Sequence, residues 1–376
     1  MVNKQFKKNS FEEHYKWIDY SQGIGCLLVL LGHSIQATEA QSQSEFFYIL
    51  NTIIYSFHMP LFFFLSGYLS FKLLEIDKKE YRLQWLKKRA KRLLVPYFFV
   101  GIVWMFPKLI FQSFVRSEWT SENLFPGFLF GDNPNSTLWF LWALFVIDVI
   151  VALSINKLNL LKALTISSAI SIMSLAFCSP YSNVLAKIIG VNSAMVIHRT
   201  IDNFPLFLLG ITIRIFYKKE ESLKSTNFLL GSTQHNLPLP YNQPIPYYQN
   251  SISIIYLMVS FILGNFILLV YKLPWAIFIT SISGSLLTCL LSIKISSRGQ
   301  VMKPLLLAGD FCMDIYIIGE MVEVALRILL VQKLHFNYIF CIVIITIVSF
   351  YVSIFISRMI IRKSRLLKTL VLGIQK

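Results

Sequence analysis

The run Trp17-Ile-Asp-Tyr-Ser-Gln-Gly-Ile-Gly-Cys-Leu-Leu-Val-Leu-Leu-Gly-His33 decides how the chain is read. It is apolar enough to enter a bilayer, yet it carries Asp19, Gln22 and His33. At about 100° per residue those three fall within about 60° of one another, so one stripe of the helix is polar. His33 lies about 21 Å along the axis from Asp19 at about 1.5 Å per residue. From a cytosolic start it reaches the outer half of the hydrocarbon layer, where an ionisable group is a functional candidate. A neutral histidine satisfied by an inter-helix hydrogen bond is the alternative reading.

Outward from this run the same apolar character repeats. The chain has 376 residues, 55% hydrophobic and 14% charged, with a mean hydropathy of +0.61; a soluble domain carries about 25% charged residues. Candidate spans fall at 18–37, 46–71, 93–115, 138–155, 160–178, 203–217, 252–271, 275–293, 305–330 and 338–356, each close to the ~20 residues a spanning helix needs. The expectation is an all-α, polytopic integral membrane bundle of about ten transmembrane helices, forming a single domain over 1–376.

The net charge of +16 raises the question of nucleic acid, but the basic residues alternate with the spans instead of forming a face. Of the 35 Lys and Arg, all but Lys108, Arg116, Lys187, Arg199, Lys272, Arg327 and Lys333 fall in alternate loops and their helix edges. The positive-inside rule then places both termini in the cytosol; the expected location is the inner (cytoplasmic) membrane, with the lipid bilayer as surroundings and no nucleic-acid partner. Lys4, Lys7 and Lys8 precede the first run in the manner of a signal peptide. That run is long, and Glu39 spoils the small-residue site at Ala37 and Ala40, so it reads as a retained helix. Cys26, Cys178, Cys289, Cys312 and Cys341 lie in or beside apolar stretches without metal or redox spacing, and read as small buried residues; no metal is expected. Residues 218–250 form a cytosolic loop whose second half, from Asn236, carries four prolines and reads as an extended tether.

Three further segments carry chemistry. Ser56-Phe-His58-Met-Pro60-Leu-Phe-Phe-Phe-Leu-Ser66-Gly-Tyr68 holds a second intramembrane histidine, a proline that frees backbone groups, and a small Ser-Gly pair. Freed backbone at that depth needs protein or a water-filled cavity around it. Arg89 and Arg92, at i and i+3 in Gln84-Trp-Leu-Lys-Lys-Arg89-Ala-Lys-Arg92, share a helix face at the cytosolic surface, and two guanidinium forks there suit phosphates. Basic residues at a cytosolic edge are also what topology and anionic lipid demand. Glu320, Glu323 and Arg327 fall within about 60° of each other on the ninth span; pairing of Glu323 with Arg327 would leave Glu320 as the freer carboxylate.

Together the run Asp19–His33, the segment Phe57–Leu69, the pair Arg89 and Arg92, and Leu138-Trp-Phe-Leu141 resemble the membrane-bound acyltransferase-3 family, especially its fucose 4-O-acetylase-like branch. Asp202–Gly210 and Gly309–Tyr316 match the later family pattern more loosely. The resemblance implies transfer of an acyl group, usually acetyl from cytosolic acetyl-CoA, to a hydroxyl of an envelope or exported glycan. Acyl-CoA is then a co-substrate, no cofactor is held, and the acceptor is a glycan, lipid-linked in one form. His33 matches the family's essential first-helix histidine, and Arg89 and Arg92 its arginine pair toward the donor nucleotide. Two positions depart: Gln22 stands where the family places Arg or Lys, and Gly319 where it often places histidine.

On this reading His33 is a general base for the sugar hydroxyl, since neutral imidazole suits that work near neutral pH. Glu320 or Asp19 orients it, His58 or Ser66 donates to the developing oxyanion, and Gln22 orients a substrate oxygen. A covalent acyl-histidine is the other route. The rival function is a non-enzymatic glycan exporter or small-molecule transporter, which also needs many helices and intramembrane charge. Neither acceptor sugar nor oligomeric state is written in the sequence.

Overall fold

A computed structural model describes residues 15–75, 79–110, 124–177, 184–231, 251–298 and 302–374. The N-terminal lysines, Cys178 and the proline-rich stretch after Asn236 lie outside the described residues. Among those residues there are helices and no strands. The main helices are α1 (Lys16–Ala37), α2 (Glu45–Ser70), α3 (Lys79–Ile110), α4 (Trp139–Ser154), α5 (Leu160–Phe177), α6 (Val191–Gly231), α7 (Ser251–Phe266), α8 (Ala276–Ser297), α9 (Lys303–Asp310), α10 (Cys312–Leu326), α11 (Tyr338–Ile356) and α12 (Arg365–Leu372). Side-chain caps start two of them: Asn337 accepts from Ile339 N–H at 2.9 Å, and Ser364 from Leu367 N–H at 3.3 Å, satisfying donors that a first turn leaves open.

Among the described residues eight helices are long and apolar enough to cross a membrane, seated on α2 to α8 and α11. The two remaining expected spans, 18–37 and 305–330, coincide with α1 and with α9 plus α10. These are the segments whose polar residues dilute their apolar character. The second is not one helix: Phe311, at φ −108° and ψ 17°, separates α9 from α10. The sixth expected span, 203–217, is the middle of the 41-residue α6. That helix runs past Lys218 to Gly231, so the first part of the expected loop 218–250 is helical. The sequence permits this, with no proline between Pro205 and Pro238 and with Glu220 and Lys224 at i and i+4.

The bundle is organised around α1, which contacts α2, α8, α9, α10 and α11. Two reciprocal glycine pairs set its closest crossings. A Cβ on Gly23 would strike the Leu305 backbone of α9, and one on Gly309 would strike the Asp19 backbone of α1. Gly67 and Gly210 do the same for α2 and α6, against the Phe207 and Phe64 backbones. Without a hydrophobic drive between helices in lipid, small residues that let backbones touch are what hold such crossings. By contrast α7 packs chiefly on α8 and turns Tyr256, Ile262 and Leu263 outward.

At the end that the sequence reading makes cytosolic, Arg362 on the α11 exit bonds Asp314 through Nη2 and Nε at 2.6 and 3.0 Å and stacks on Phe311 at 3.9 Å. Ser357 also donates to Asp314. The short α12 then folds back along α3, burying Leu372. Gly373, at φ 64°, sits directly on the Arg92 backbone, a left-handed position that favours glycine.

Candidate active site

His33 stands one turn before the end of α1. Its Nδ1 lies 3.5 Å from Glu320 Oε2 on α10, with side-chain exposures of 26% and 20%, so the pair is enclosed yet reachable. Gly319 explains how the two helices come close enough. A Cβ there would already sit 3.1 Å from Leu30 Cδ2 of α1, so the larger histidine of the family pattern would force the seam open. The departure at 319 therefore helps deliver the neighbouring carboxylate to His33.

Tyr55 and His58 on α2 complete this side. The Tyr55 ring is 6.4 Å from His33 and meets His58 edge-on at 4.7 Å. The Tyr55 hydroxyl is buried without a hydrogen-bond partner. One turn beyond Glu320, Glu323 is 4% exposed and its Oε1 is buried without a hydrogen-bond partner. Arg327, one turn further on, is 8% exposed. Ligand atoms of His33, Glu320 and Glu323 lie within 4.8 Å of one another, a spacing that could hold a small cation, although the sequence reading assigned no metal.

Several expected site residues sit elsewhere. Asp19 is fourteen residues before His33, about 21 Å down the same helix, with its backbone against Gly309; Glu320, and not Asp19, is the carboxylate beside the histidine. Gln22 is half-buried and about 16 Å from His33 by helical rise, which removes it from the reacting atoms. His58 is close to His33 but 2% exposed, and its Nδ1 is 2.8 Å from the Ile54 carbonyl. The carbonyl can only accept, so Nδ1 carries the proton and Nε2 presents a lone pair in the neutral ring. A His58 so arranged cannot donate to an oxyanion. Ser66 lies eleven residues beyond Tyr55, about 16 Å away, beside the Gly67 contact with α6; its place is at a helix crossing.

At the other end, Arg89 donates from Nε to Asp148 Oδ2 at 2.6 Å, and Asp148 is fully buried. Arg89 Nη2 is buried with no hydrogen-bond partner, and its guanidinium stacks beside Trp85 at 5.5 Å. Arg92 is exposed. The two expected forks therefore differ: Arg89 is fixed by a carboxylate and keeps one buried nitrogen without a hydrogen bond, and Arg92 faces outward beside the α12 end. Asp148 escaped the sequence reading, although a carboxylate within the apolar run Trp139–Ser154 was the signal. Tyr55 left no signal beyond being a tyrosine in a span.

The acyltransferase-3 family model, described as an acyltransferase domain, matches residues 15–358. Nodulation protein NolL of Mesorhizobium japonicum is 30% identical over 150 residues, an alignment covering 38% of this chain and 37% of that protein. The chain thus spans well under half of that relative's length. No solved structure matches. The matched family range contains His33, Glu320, Arg89 and Arg92 together with all eight apolar spans, apart from the last turn of the final one, and on that footing this multi-pass membrane protein belongs to the acyltransferase-3 family.

Proposed function

We propose that this protein is an O-acyltransferase of the inner membrane that moves an acyl group, acetyl in the first instance, from cytosolic acyl-CoA to a hydroxyl of an envelope or exported glycan. The observation that carries the reading is the His33–Glu320 pair, an imidazole beside a carboxylate, both partly exposed, inside a helical bundle. Glu320 accepts from Nδ1–H and fixes the tautomer, which leaves the Nε2 lone pair to take the acceptor's proton. A separation of 3.5 Å is at the limit of a hydrogen bond, and such contacts tighten when substrate fills the site.

The reaction then balances without a further reagent. The acceptor O–H gives its proton to His33 Nε2 as its oxygen attacks the thioester carbonyl. The tetrahedral adduct carries a negative oxygen, for which the unpartnered Tyr55 hydroxyl beside His33 is a suitable donor. On collapse the C–S bond breaks, and the CoA thiolate recovers the proton from His33. Arg89 and Arg92 hold the donor phosphates at the cytosolic end, with Asp148 keeping the Arg89 fork in place. Donor and acceptor thus meet from opposite sides of the bilayer.

Labelled acetyl-CoA given to membrane vesicles containing the protein tests this. Label is expected to appear in glycan with wild-type protein and to be absent with His33→Ala at equal folded amounts. Glycan movement without labelling would support an exporter and end the proposal.

A further inference from the structure

Glu320 and Glu323 are three residues apart on α10, so one turn of helix sets both carboxylates on the same face. Glu323 is 4% exposed, and its Oε1 has no hydrogen-bond partner. A buried carboxylate oxygen left open is costly, and a second carboxylate beside it raises the cost, so the pair calls for positive charge. Arg327 lies one turn further along the chain, but a guanidinium engaging both Glu323 oxygens would not leave Oε1 open. His33 completes the group from α1. Its Nδ1 is 3.5 Å from Glu320 Oε2, and one ligand atom from each of the three residues lies within 4.8 Å of the others.

We infer that His33, Glu320 and Glu323 form a binding site for a divalent transition cation of the Zn2+ class, and that its occupancy silences His33 as a base. One imidazole nitrogen with two carboxylates is a mixed nitrogen and oxygen set, which favours Zn2+ over Mg2+ and Ca2+, whose sites are built from oxygen. Three protein ligands leave a fourth position for water, the arrangement of open zinc sites. Donors about 2.0 Å from a tetrahedral ion stand about 3.3 Å from one another, so the His33–Glu320 spacing is already close to what the ion needs, and a rotation of Glu323 brings in the third ligand. The partial exposure of His33 and Glu320 gives the ion a way in, and the open Glu323 oxygen gains a partner. The silencing rests on the proposed acyl transfer; the site itself stands on the geometry. A cation on Nε2 takes the lone pair of the base directly, and a cation on Nδ1 leaves the proton on Nε2. Neither form accepts a proton from a hydroxyl.

The test is calorimetric titration of the tag-free full chain in nanodiscs, freed of metal with EDTA, using Zn2+, Mn2+ and Mg2+ as the probes. One Zn2+ per chain is expected, bound more tightly than Mn2+ and far more tightly than Mg2+. His33→Ala, Glu320→Gln and Glu323→Gln are each expected to weaken Zn2+ binding by about tenfold or more, since even the loss of an outer-shell partner costs that much. The exposed His335→Ala is expected to bind as wild type does. Should Glu323→Gln fail to fold, Glu320→Gln and His33→Ala still carry the test. Saturating Zn2+ is expected to lower acyl transfer by about 10²-fold, the share of a general base, with recovery on adding EDTA and with the remaining transfer of Glu323→Gln insensitive to it. Wild type binding Zn2+ no more tightly than the three variants overturns the site, and leaves the acyl-transfer reading standing if His33→Ala still abolishes transfer. Zn2+ held by these residues without loss of transfer overturns the silencing, and with it His33 as the base.

Discussion

Helix α1, of 22 residues, and the 20-residue span Ile252–Tyr271 make opposite use of the membrane. Residues Ile252–Tyr271, which include α7, form an apolar span packed mainly on one neighbour and largely open to lipid. α1 is not among the eight helices selected by apolar composition, yet it contacts five others and buries Trp17, Tyr20, Cys26, Leu30 and Ile35. In a bilayer the apolar surface marks what touches lipid, whereas polar and small residues mark what touches protein or cavity. A helix whose composition does not mark it as a membrane span is therefore the one that organises the bundle and carries His33.

Breaking the α1 side of that comparison has the largest expected effect. His33→Ala removes the base and is expected to lower kcat about 10³-fold, measured as acyl transfer in vesicles, with melting temperature unchanged. Asp148→Ala strands Arg89 beside a buried void and is expected to cost about 3 kcal/mol in thermal melts, toward the low end for a broken buried pair because Arg89 is partly exposed. Restoring an apolar pair, Asp148→Leu with Arg89→Met, should recover stability but not donor affinity. Glu320→Gln keeps the shape and loses the orienting charge, for an expected loss of about 10²-fold in kcat with little change in acceptor KM. Gly23→Val drives a side chain into the Leu305 backbone and is expected to destabilise by about 2 kcal/mol. Ile262→Leu on the lipid side of α7 should shift neither stability nor activity, within about 0.5 kcal/mol.

How much of this was legible in the sequence follows the same division. Apolar runs located the helices, because a span's composition is local; the break at Phe311 and the extension of α6 to Gly231 were not, because packing of α9 on α1 and helix propensity beyond the membrane decide them. The polar stripe named His33, and helical spacing named Glu320. That these two meet depends on Gly319, whose absence of side chain read as a loss until α1 was seen beside it. His58 and Ser66 share a segment with Tyr55, but the Ile54 carbonyl and the crossing at Gly67 occupy them, and only three-dimensional contact reveals this. Arg89 and Asp148, 59 residues apart, have no pattern that joins them in one dimension.

The central claim is directional acyl transfer through His33, from a cytosolic donor to an acceptor that approaches from the outer side of the membrane. Its most direct test compares sealed inverted and right-side-out vesicles supplied with labelled acetyl-CoA, which does not cross the membrane, with His33→Ala in parallel. The account predicts labelled glycan in inverted vesicles, where the donor meets Arg89 and Arg92. It predicts almost none in right-side-out vesicles and none with the variant in either. Equal labelling from both sides, or labelling by His33→Ala, would contradict it.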